Sequence, residues 1–140
     1  MRKKVLLLIN GSAGPGDIGI DTYAIIEKFA RAGWEPTVFP ILPSSGMGAE
    51  DLIEEYAAQS ELVVCAGGDG TLNHAITALM KLEHPPRLGY LPAGSTNDFA
   101  KGVNIPTNLD DACDAILNGR PFSYDIGADQ IGRASCRERV

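Results

Sequence analysis

The stretch Leu62-Val63-Val64-Cys65-Ala66-Gly67-Gly68-Asp69-Gly70-Thr71-Leu72-Asn73 decides the fold of this chain. Its first part is an uninterrupted apolar run, which is typical of a parallel strand buried on both faces. Its second part holds three glycines and one aspartate and leads into a helical pattern. Open α/β sheets bind ligands at the carboxyl ends of such strands, where glycine lets backbone N–H groups approach phosphate and the next helix points its positive dipole end. The stretch therefore predicts a nucleotide-binding turn, in which the Asp69 carboxylate serves a magnesium ion or its water.

The length and composition fit one compact domain. The chain has 140 residues, of which 44% are hydrophobic and 21% charged, enough for an ordinary core. Its net charge of -6 argues against general binding to nucleic acid and against strong attraction to anionic lipid, since both require a basic surface. The early apolar run from Val5 to Ile9 is too short for a membrane span or a signal peptide. Cysteines at 65, 113 and 136 share no metal-ligand spacing, so we expect a reduced, cytoplasmic setting.

Strand and helix patterns alternate along the chain and predict a doubly wound, mainly parallel α/β sheet. The predicted strands are Lys4 to Asn10, Thr37 to Leu42, Leu62 to Ala66, Leu88 to Leu91 and Phe122 to Ile126. Apolar stripes at helical spacing predict four helices. The stripes are Tyr23, Ile26, Phe29 and Ala30; Ala49, Leu52, Ile53, Tyr56 and Ala57; Leu72, Ala75, Ile76, Leu79 and Met80; and Leu109, Ala112, Cys113, Ile116 and Leu117. Thr71 is a candidate N-cap of the third helix, and Asn108 of the last.

Three loops follow the first, third and fourth strands, so a parallel sheet brings them to one edge. They run from Asn10 to Gly16, from Gly67 to Asn73 and from Pro92 to Asp98. Loops are commonly rich in glycine and small polar residues, so one such loop is weak evidence. Three loops at one edge, two of which contain an acid, favour a polyphosphate site.

The first loop also matches the dinucleotide pattern G-x-G-x-x-G, at Gly14-Pro15-Gly16-Asp17-Ile18-Gly19. We reject this match because the first glycine comes four residues after Asn10 rather than tight against the strand. The second strand also ends in Pro40-Ile41-Leu42, without an acid to bind a ribose. A Walker A loop is excluded as well, since the chain contains no Gly-Lys-Ser/Thr.

Two motifs together carry a family resemblance. The turn from Gly67 to Asn73, followed by Leu91-Pro92-Ala93-Gly94-Ser95-Thr96-Asn97-Asp98-Phe99-Ala100, resembles the diacylglycerol kinase catalytic domain, and more closely the bacterial diacylglycerol kinase-like lipid kinases. The resemblance covers about residues 3–127. NAD kinases and 6-phosphofructokinases have loops similar to GGDGT and a related N-terminal lobe. The Leu72-Asn73 continuation and Asn97-Asp98-Phe99-Ala100 favour the lipid-kinase branch.

The resemblance implies an ATP-dependent transfer of the γ-phosphate to a lipid hydroxyl such as that of diacylglycerol. It implies ATP and Mg2+ as cofactors, a role in phospholipid biosynthesis, and a cytoplasmic enzyme that binds peripherally at the inner membrane face. The residues that match the family's ATP contacts are Asn10, Gly11, Ser12, Gly14, Gly67, Gly68, Gly70, Thr71, Asn73, Ser95 and Thr96.

Asp69, Asp98 and Asp125 match three family carboxylates that meet through a magnesium and water network, as catalytic and metal-binding residues. Each lies at or just beyond the carboxyl end of a predicted strand, where three acids would repel one another without a cation. Considered alone, Asp98 is better explained as a helix N-cap and Asp125 as a turn acid.

The chain departs from the family pattern at two places. His74 stands where the family usually has a glutamate, and we assign it no role. Pro43-Ser44-Ser45 occupies the region where the family often has a threonine for the nucleotide, and either serine is a candidate substitute.

The resemblance covers the N-terminal nucleotide-binding lobe, which we assign to residues 1–127. The family's β-rich C-terminal lobe, which supplies the general base and most of the lipid pocket, is absent, so we expect this chain alone to be inactive. The ending from Gly132 to Val140 fits no strand or helix pattern and contains three arginines against one glutamate, which predicts that residues 128–140 are a non-native or read-through tail. The expected partners are a lipid substrate bound through the missing lobe and a membrane surface, with no nucleic acid and with homodimerisation left open.

Three alternative functions remain open from the sequence. The first is an NAD kinase-like enzyme, the second a non-catalytic nucleotide-binding module, and the third a purely structural interaction domain. The first two would bind nucleotide at the same loops, whereas the third would bind none.

Overall fold

The computed structural model describes residues 2–10, 22–92 and 109–119. In these ranges strands and helices alternate as predicted: β1 (Lys3–Ile9), α1 (Thr22–Arg31), β2 (Trp34–Pro40), α2 (Ala49–Tyr56), β3 (Leu62–Gly67), α3 (Asp69–Met80), β4 (Arg87–Pro92) and α4 (Leu109–Leu117). Short 3-10 turns precede and follow α2, at Pro43–Ser45 and Ala57–Gln59. The predicted strand from Phe122 to Ile126 and the predicted Asn108 cap lie outside the described residues.

The four strands form one parallel sheet in the order β2-β1-β3-β4. The two inner strands of this sheet are β1 and β3. All residues of β3 and the last five of β1 are buried, as their apolar sequences require. From β1 the chain crosses to β2 on one side, and from β3 it crosses to β4 on the other. The winding therefore reverses between the carboxyl ends of β1 and β3, which is the topological switch point where such sheets bind ligands.

Helices cover both faces of the sheet. Because successive strand residues point to opposite faces, Leu6 and Leu8 pack with α2 and α3, whereas Val5 and Leu7 pack with α1 and α4. An ion pair of 2.6 Å between Lys28 Nζ and Asp114 Oδ1 joins α1 to α4. The predicted doubly wound α/β fold is confirmed.

The predicted buried face of α1 is partly wrong. Tyr23 is 71% exposed, whereas Ile25 and Phe29 are buried and Ile26 packs at the margin of the same core. Ile25 and Ile26 are adjacent, so their side chains point about 100° apart around the helix axis. Each could lie at the centre of an apolar stripe, and the sequence of α1 therefore fits two alternative buried faces. The sheet selects the stripe that buries purely aliphatic Ile25 and leaves the Tyr23 hydroxyl in water. The described members of the other three stripes are buried or half-buried, as predicted.

The second strand begins three residues before its predicted start and ends at Pro40 rather than Leu42. Proline is normally excluded from central strands, because it lacks the N–H that a ladder hydrogen bond needs. In the structure β2 pairs only with β1 within the described sheet, and its register with β1 continues unbroken through Pro36. Ile41 N–H donates to the Ile9 carbonyl at 2.8 Å, so the alternate residues of β2, including Pro36 and Pro40, have their nitrogens on the outer side. Proline there removes no bond to β1.

Candidate phosphate-binding site

The turn between β3 and α3 is short, and five of the seven residues from Gly67 to Asn73 are helical. β3 ends at Gly67, Gly68 is the N-cap in an extended conformation, and α3 begins at Asp69. Leu72 N–H makes the first intrahelical bond, to Gly68 O at 3.1 Å. The preceding N–H groups of Asp69, Gly70 and Thr71 therefore have no partner in the helical ladder and emerge at its positive end. The predicted Thr71 N-cap is wrong, because the helix starts two residues before Thr71.

Two glycines of the turn have different structural roles. A Cβ at Gly67 would lie 2.9 Å from Thr71 Oγ1 and 3.0 Å from Thr71 Cβ, so only glycine allows the strand to pass this close to the helix. A Cβ at Gly70 would meet nothing within 4 Å, so the first turn of α3 has open space beside its backbone. Gly67 makes the tight turn possible, and Gly70 leaves room for a ligand.

A side-chain hydrogen bond connects the two strands at the switch point. Asn10, directly after β1, donates from Nδ2 to Thr71 Oγ1 at 2.9 Å, and its backbone N–H donates to Ala66 O at 2.9 Å. Because Thr71 Oγ1 accepts this bond, its own O–H proton can be donated to a further acceptor, such as a phosphate oxygen. The sequence predicted Asn10 and Thr71 as separate ATP contacts, and the structure shows that they contact each other.

Tyr90 supports the turn from the core side of the sheet, and it is not among the site residues predicted from the sequence. Its hydroxyl donates to Gly67 O at 3.0 Å, and the residue is 1% exposed. The available signal was chemical, since a tyrosine in an otherwise apolar buried strand needs a partner for its hydroxyl. Cys65 lies two residues before Gly67, and complete burial raises the pKa of its thiol to about 12. This thiol is therefore not a nucleophile at neutral pH.

Two departures from the family pattern fall on the exposed surface. His74 on α3 has its Nδ1 3.7 Å from Glu50 Oε1 on α2, and their side chains are 64% and 48% exposed. Ser44 and Ser45 lie in the exposed 3-10 turn after β2, the strand farthest from β3 on that side of the sheet.

The described part of the predicted site is brought together at one edge. Asn10 directly follows β1, Gly67 ends β3 and Gly68 follows it. Gly70, Thr71 and Asn73 lie in the first turns of α3, and Asp69 is the first residue of that helix. The remaining predicted site residues lie outside the described residues: Gly11, Ser12, Gly14, Ser95, Thr96, Asp98 and Asp125. The G-x-G-x-x-G match also lies outside them.

Positive charge is placed at the opposite edge of the described structure. Its Lys and Arg residues lie at the starts of β1 and β4 and at the ends of α1 and α3: Arg2, Lys3, Lys4, Lys28, Arg31, Lys81 and Arg87. Within the described ranges, an anion at the carboxyl edge of β1 and β3 would therefore meet backbone N–H groups and the Thr71 hydroxyl rather than a basic side chain. A cation or residues outside those ranges would have to balance the charge of a polyphosphate.

The described residues do not by themselves assemble a metal site. No group of three or more His, Cys, Asp or Glu residues that could hold a metal ion occurs among them. Asp69 is the only member of the predicted magnesium set within the described ranges, so that set stays a prediction. None of the described helices has the length and apolar character needed to cross a membrane.

A family model and individual relatives both relate this chain to diacylglycerol kinases. The family described as "Diacylglycerol kinase catalytic domain" matches residues 4–128. The chain is 31% identical over 126 residues to a diacylglycerol kinase of Bacillus subtilis (strain 168), covering 89% of this chain and 41% of that protein. It is 30% identical over 129 residues to a diacylglycerol kinase of Staphylococcus aureus (strain MRSA252), covering 91% of this chain and 40% of that protein.

Solved structures agree with this match. The crystal structure of a diacylglycerol kinase from Bacillus anthracis str. Sterne superposes with a TM-score of 0.73 at 30% identity, covering 85% of this chain and 42% of that one. The chain thus spans about 40% of the length of the curated relatives that it matches.

Proposed function

The chain belongs to the diacylglycerol kinase catalytic domain family, and we propose that it is the ATP-binding lobe of a kinase that phosphorylates a lipid hydroxyl. Membership of this family supports a lipid kinase-type function. The proposal adds the nucleotide, the place where its phosphates bind and the class of acceptor.

The hydrogen bond from Asn10 to Thr71 is the observation that carries the proposal. It joins the end of β1 to the first turn of α3 at the switch point of the sheet, where the positive end of the helix and the open space at Gly70 coincide. A bond between residues 61 positions apart holds the hydroxyl of Thr71 in place before a ligand arrives. Such preorganisation reduces the entropy lost on binding.

In the proposed complex the ATP phosphates lie against the first turn of α3. The N–H groups of Asp69, Gly70 and Thr71 donate to phosphate oxygens, and the Thr71 hydroxyl adds a further donor. Asp69, Asp98 and Asp125 are the residues that would hold magnesium. When bound, the cation neutralises charge that develops on the phosphates during transfer. The donor set fits a polyphosphate, because the described edge offers N–H and O–H groups without a repelling side chain on Gly70.

The lipid acceptor is proposed from the family alone. We place the binding of the lipid and the group that accepts its hydroxyl proton in the segments that the relatives have beyond the matched residues. We likewise propose peripheral contact with the cytoplasmic face of the membrane, where a lipid acceptor would be encountered.

Titration calorimetry of the chain with ATP tests the nucleotide part of the proposal. We expect binding that requires Mg2+, and we expect Asp69→Asn to weaken it at least about tenfold, because that carboxylate is the proposed link to the cation. Glu83→Gln is the matched control, since Glu83 is an exposed acid beyond the far end of α3. Absence of Mg2+-dependent binding by the unmodified chain would contradict the proposal.

Phosphate transfer is tested in a protein of the relatives' full length that carries this lobe. Radiolabelled ATP is offered with diacylglycerol, a sphingoid base and NAD in separate reactions. We expect label in the lipid product and loss of that label with Asp69→Asn. Label in NAD alone would favour the NAD kinase-like alternative, and label in none of the acceptors would favour a non-catalytic nucleotide-binding module.

A further inference from the structure

We propose that Tyr90 is a positioning residue: its buried hydroxyl fixes the Gly67–Gly68 peptide so that the Gly68 N–H faces the phosphates. This inference rests on the proposed function, because it assigns a role within the same nucleotide site. It adds a residue of β4 that lies outside the glycine-rich motifs. The observation is the 3.0 Å bond from Tyr90 OH to Gly67 O.

The direction of the Gly68 N–H follows from the sheet. Asn10 N–H donates to Ala66 O, so the N–H and C=O of even-numbered residues in β3 face β1, and those of odd-numbered residues face β4. Gly67 O faces β4 and accepts from Tyr90 on that strand. In a planar trans peptide the C=O and the following N–H point in opposite directions, and no described peptide bond is cis. The Gly68 N–H therefore faces β1, on the side of the switch point.

This peptide needs an external restraint because glycine flanks it on both sides. Glycine adopts conformations on both sides of the Ramachandran map at little cost, so a Gly–Gly peptide can rotate by half a turn with small changes elsewhere. The rotated peptide would present the Gly67 carbonyl oxygen to the switch point. An oxygen there repels a phosphate oxygen, whereas an N–H binds it.

Tyr90 is well placed to select one orientation. It is the largest of the fully buried side chains among the described residues, and it packs in the core shared by α2 and α3. A rotated peptide would break the 3.0 Å hydrogen bond from the buried hydroxyl to Gly67 O, and breaking a buried hydrogen bond lowers stability. The core thus favours the orientation in which the Gly68 N–H is available to the ligand.

The test compares Tyr90→Phe with two controls in the full chain. Tyr90→Phe keeps the ring and removes only the hydroxyl. Tyr56→Phe removes a hydroxyl from a tyrosine at the margin of the same core, and Val63→Ala truncates a buried residue of β3 without touching the Gly67 carbonyl. For each variant, the Gly68 amide is followed by 15N NMR relaxation dispersion, the Kd for Mg·ATP by calorimetry and the stability by urea unfolding.

We expect Tyr90→Phe to give conformational exchange at the Gly68 amide and to raise the Kd for Mg·ATP about fivefold, the effect of one neutral hydrogen bond. Val63→Ala should lower stability and leave both other readouts unchanged, as should Tyr56→Phe. An unchanged Gly68 amide in Tyr90→Phe would overturn the inference. So would an equal rise of the Kd in Val63→Ala, since the effect would then follow stability alone.

The two proposals fail separately. An unmodified chain that binds no Mg·ATP would overturn the proposed function and the phosphate role of Tyr90. The Gly68 amide would still report whether Tyr90 fixes the peptide, because that measurement needs no nucleotide.

Discussion

At the residue scale, Asn10 and Thr71 connect the two strand ends of the site through one hydrogen bond. We expect a double-mutant cycle of Asn10→Ala and Thr71→Val to give a coupling of about 1 kcal/mol in the free energy of unfolding, the usual contribution of a neutral hydrogen bond. Urea unfolding of the four proteins measures it. Thr71→Ser is the control, because it keeps the hydroxyl and should retain the coupling. If the two substitutions change the free energy of unfolding additively, the two side chains do not interact and the predicted coupling is wrong.

A substitution at Gly70 should affect ligand binding without lowering the stability of the fold. Its place in the first turn of α3 and the open space around it mean that Gly70→Ala introduces no clash. We expect the substitution to leave the free energy of unfolding unchanged or to raise it by up to about 1 kcal/mol, since alanine favours helix over glycine. The same methyl group would occupy the space proposed for phosphate, so the Kd for Mg·ATP should rise. An unchanged Kd of Gly70→Ala for Mg·ATP would show that the phosphates do not bind beside Gly70.

Cys65 makes the stability of the chain depend on pH in the alkaline range. Burial raises the pKa of its thiol from 9.0 to about 12. Above about pH 9 the unfolded thiol ionises while the folded one keeps its proton, so stability falls by up to about 1.4 kcal/mol per pH unit. Cys65→Ala lacks this contribution. We therefore expect the difference in unfolding free energy between the native chain and Cys65→Ala to shrink as pH rises above about 9, as measured by urea unfolding. A constant difference would contradict the assignment.

At the element scale, α4 approaches β4 closely at Gly89. A Cβ there would lie 2.8 Å from Ile116 Cδ1 and 2.9 Å from Ile116 Cγ1. We expect Gly89→Ala to lower the free energy of unfolding by about 1–3 kcal/mol, because the core is already filled at this contact. Ile116→Val removes the Cδ1 atom and should reduce the cost of Gly89→Ala in the double variant. Equal costs in both backgrounds would show that the strain lies elsewhere.

The elements also show how far the sequence predicts this fold. The stripes of α2 and α3 predicted their buried faces correctly, because helical spacing left a single apolar side. α1 offered two stripes, and only contact with the sheet decides between them. The bounds of β2 were predicted wrongly at both ends, because the residues that pair with β1 are fixed by the register between the strands, which is a property of the whole sheet.

The site shows the same limit. Local sequence placed Gly67, Gly70 and Thr71 at one turn, and the expectation of a shared sheet edge brought Asn10 near them. The bonds from Asn10 to Thr71 and from Tyr90 to Gly67 join residues 61 and 23 positions apart. Such pairs depend on strand order and register, which no local pattern contains. A buried hydroxyl indicates that a partner exists, but only the fold identifies it.

At the scale of the whole molecule, the two edges of the described sheet differ in the groups that they present. The carboxyl edge concentrates N–H and hydroxyl donors, and the described basic residues lie at the amino edge. The sheet thus separates the proposed phosphate site from the positive side chains of its described part. Among the described residues, a bare polyphosphate would find little positive charge at the carboxyl edge beyond the helix dipole.

Strand β2 lies at one edge of the described sheet, and its prolines disfavour pairing with a strand from another molecule. Pro36 and Pro40 lie at positions whose nitrogens face away from β1, so they interrupt the row of N–H groups that an approaching strand would use. Replacing both prolines by threonine restores two outward donors in a strand that favours β structure. We expect the double variant to form larger species than the native chain at the same concentration, as measured by size-exclusion chromatography with light scattering. Pro43→Thr is the matched control, because Pro43 lies in the 3-10 turn outside the sheet. Circular dichroism verifies that both variants fold. If the folded double variant elutes like the native chain, the prolines do not protect this edge.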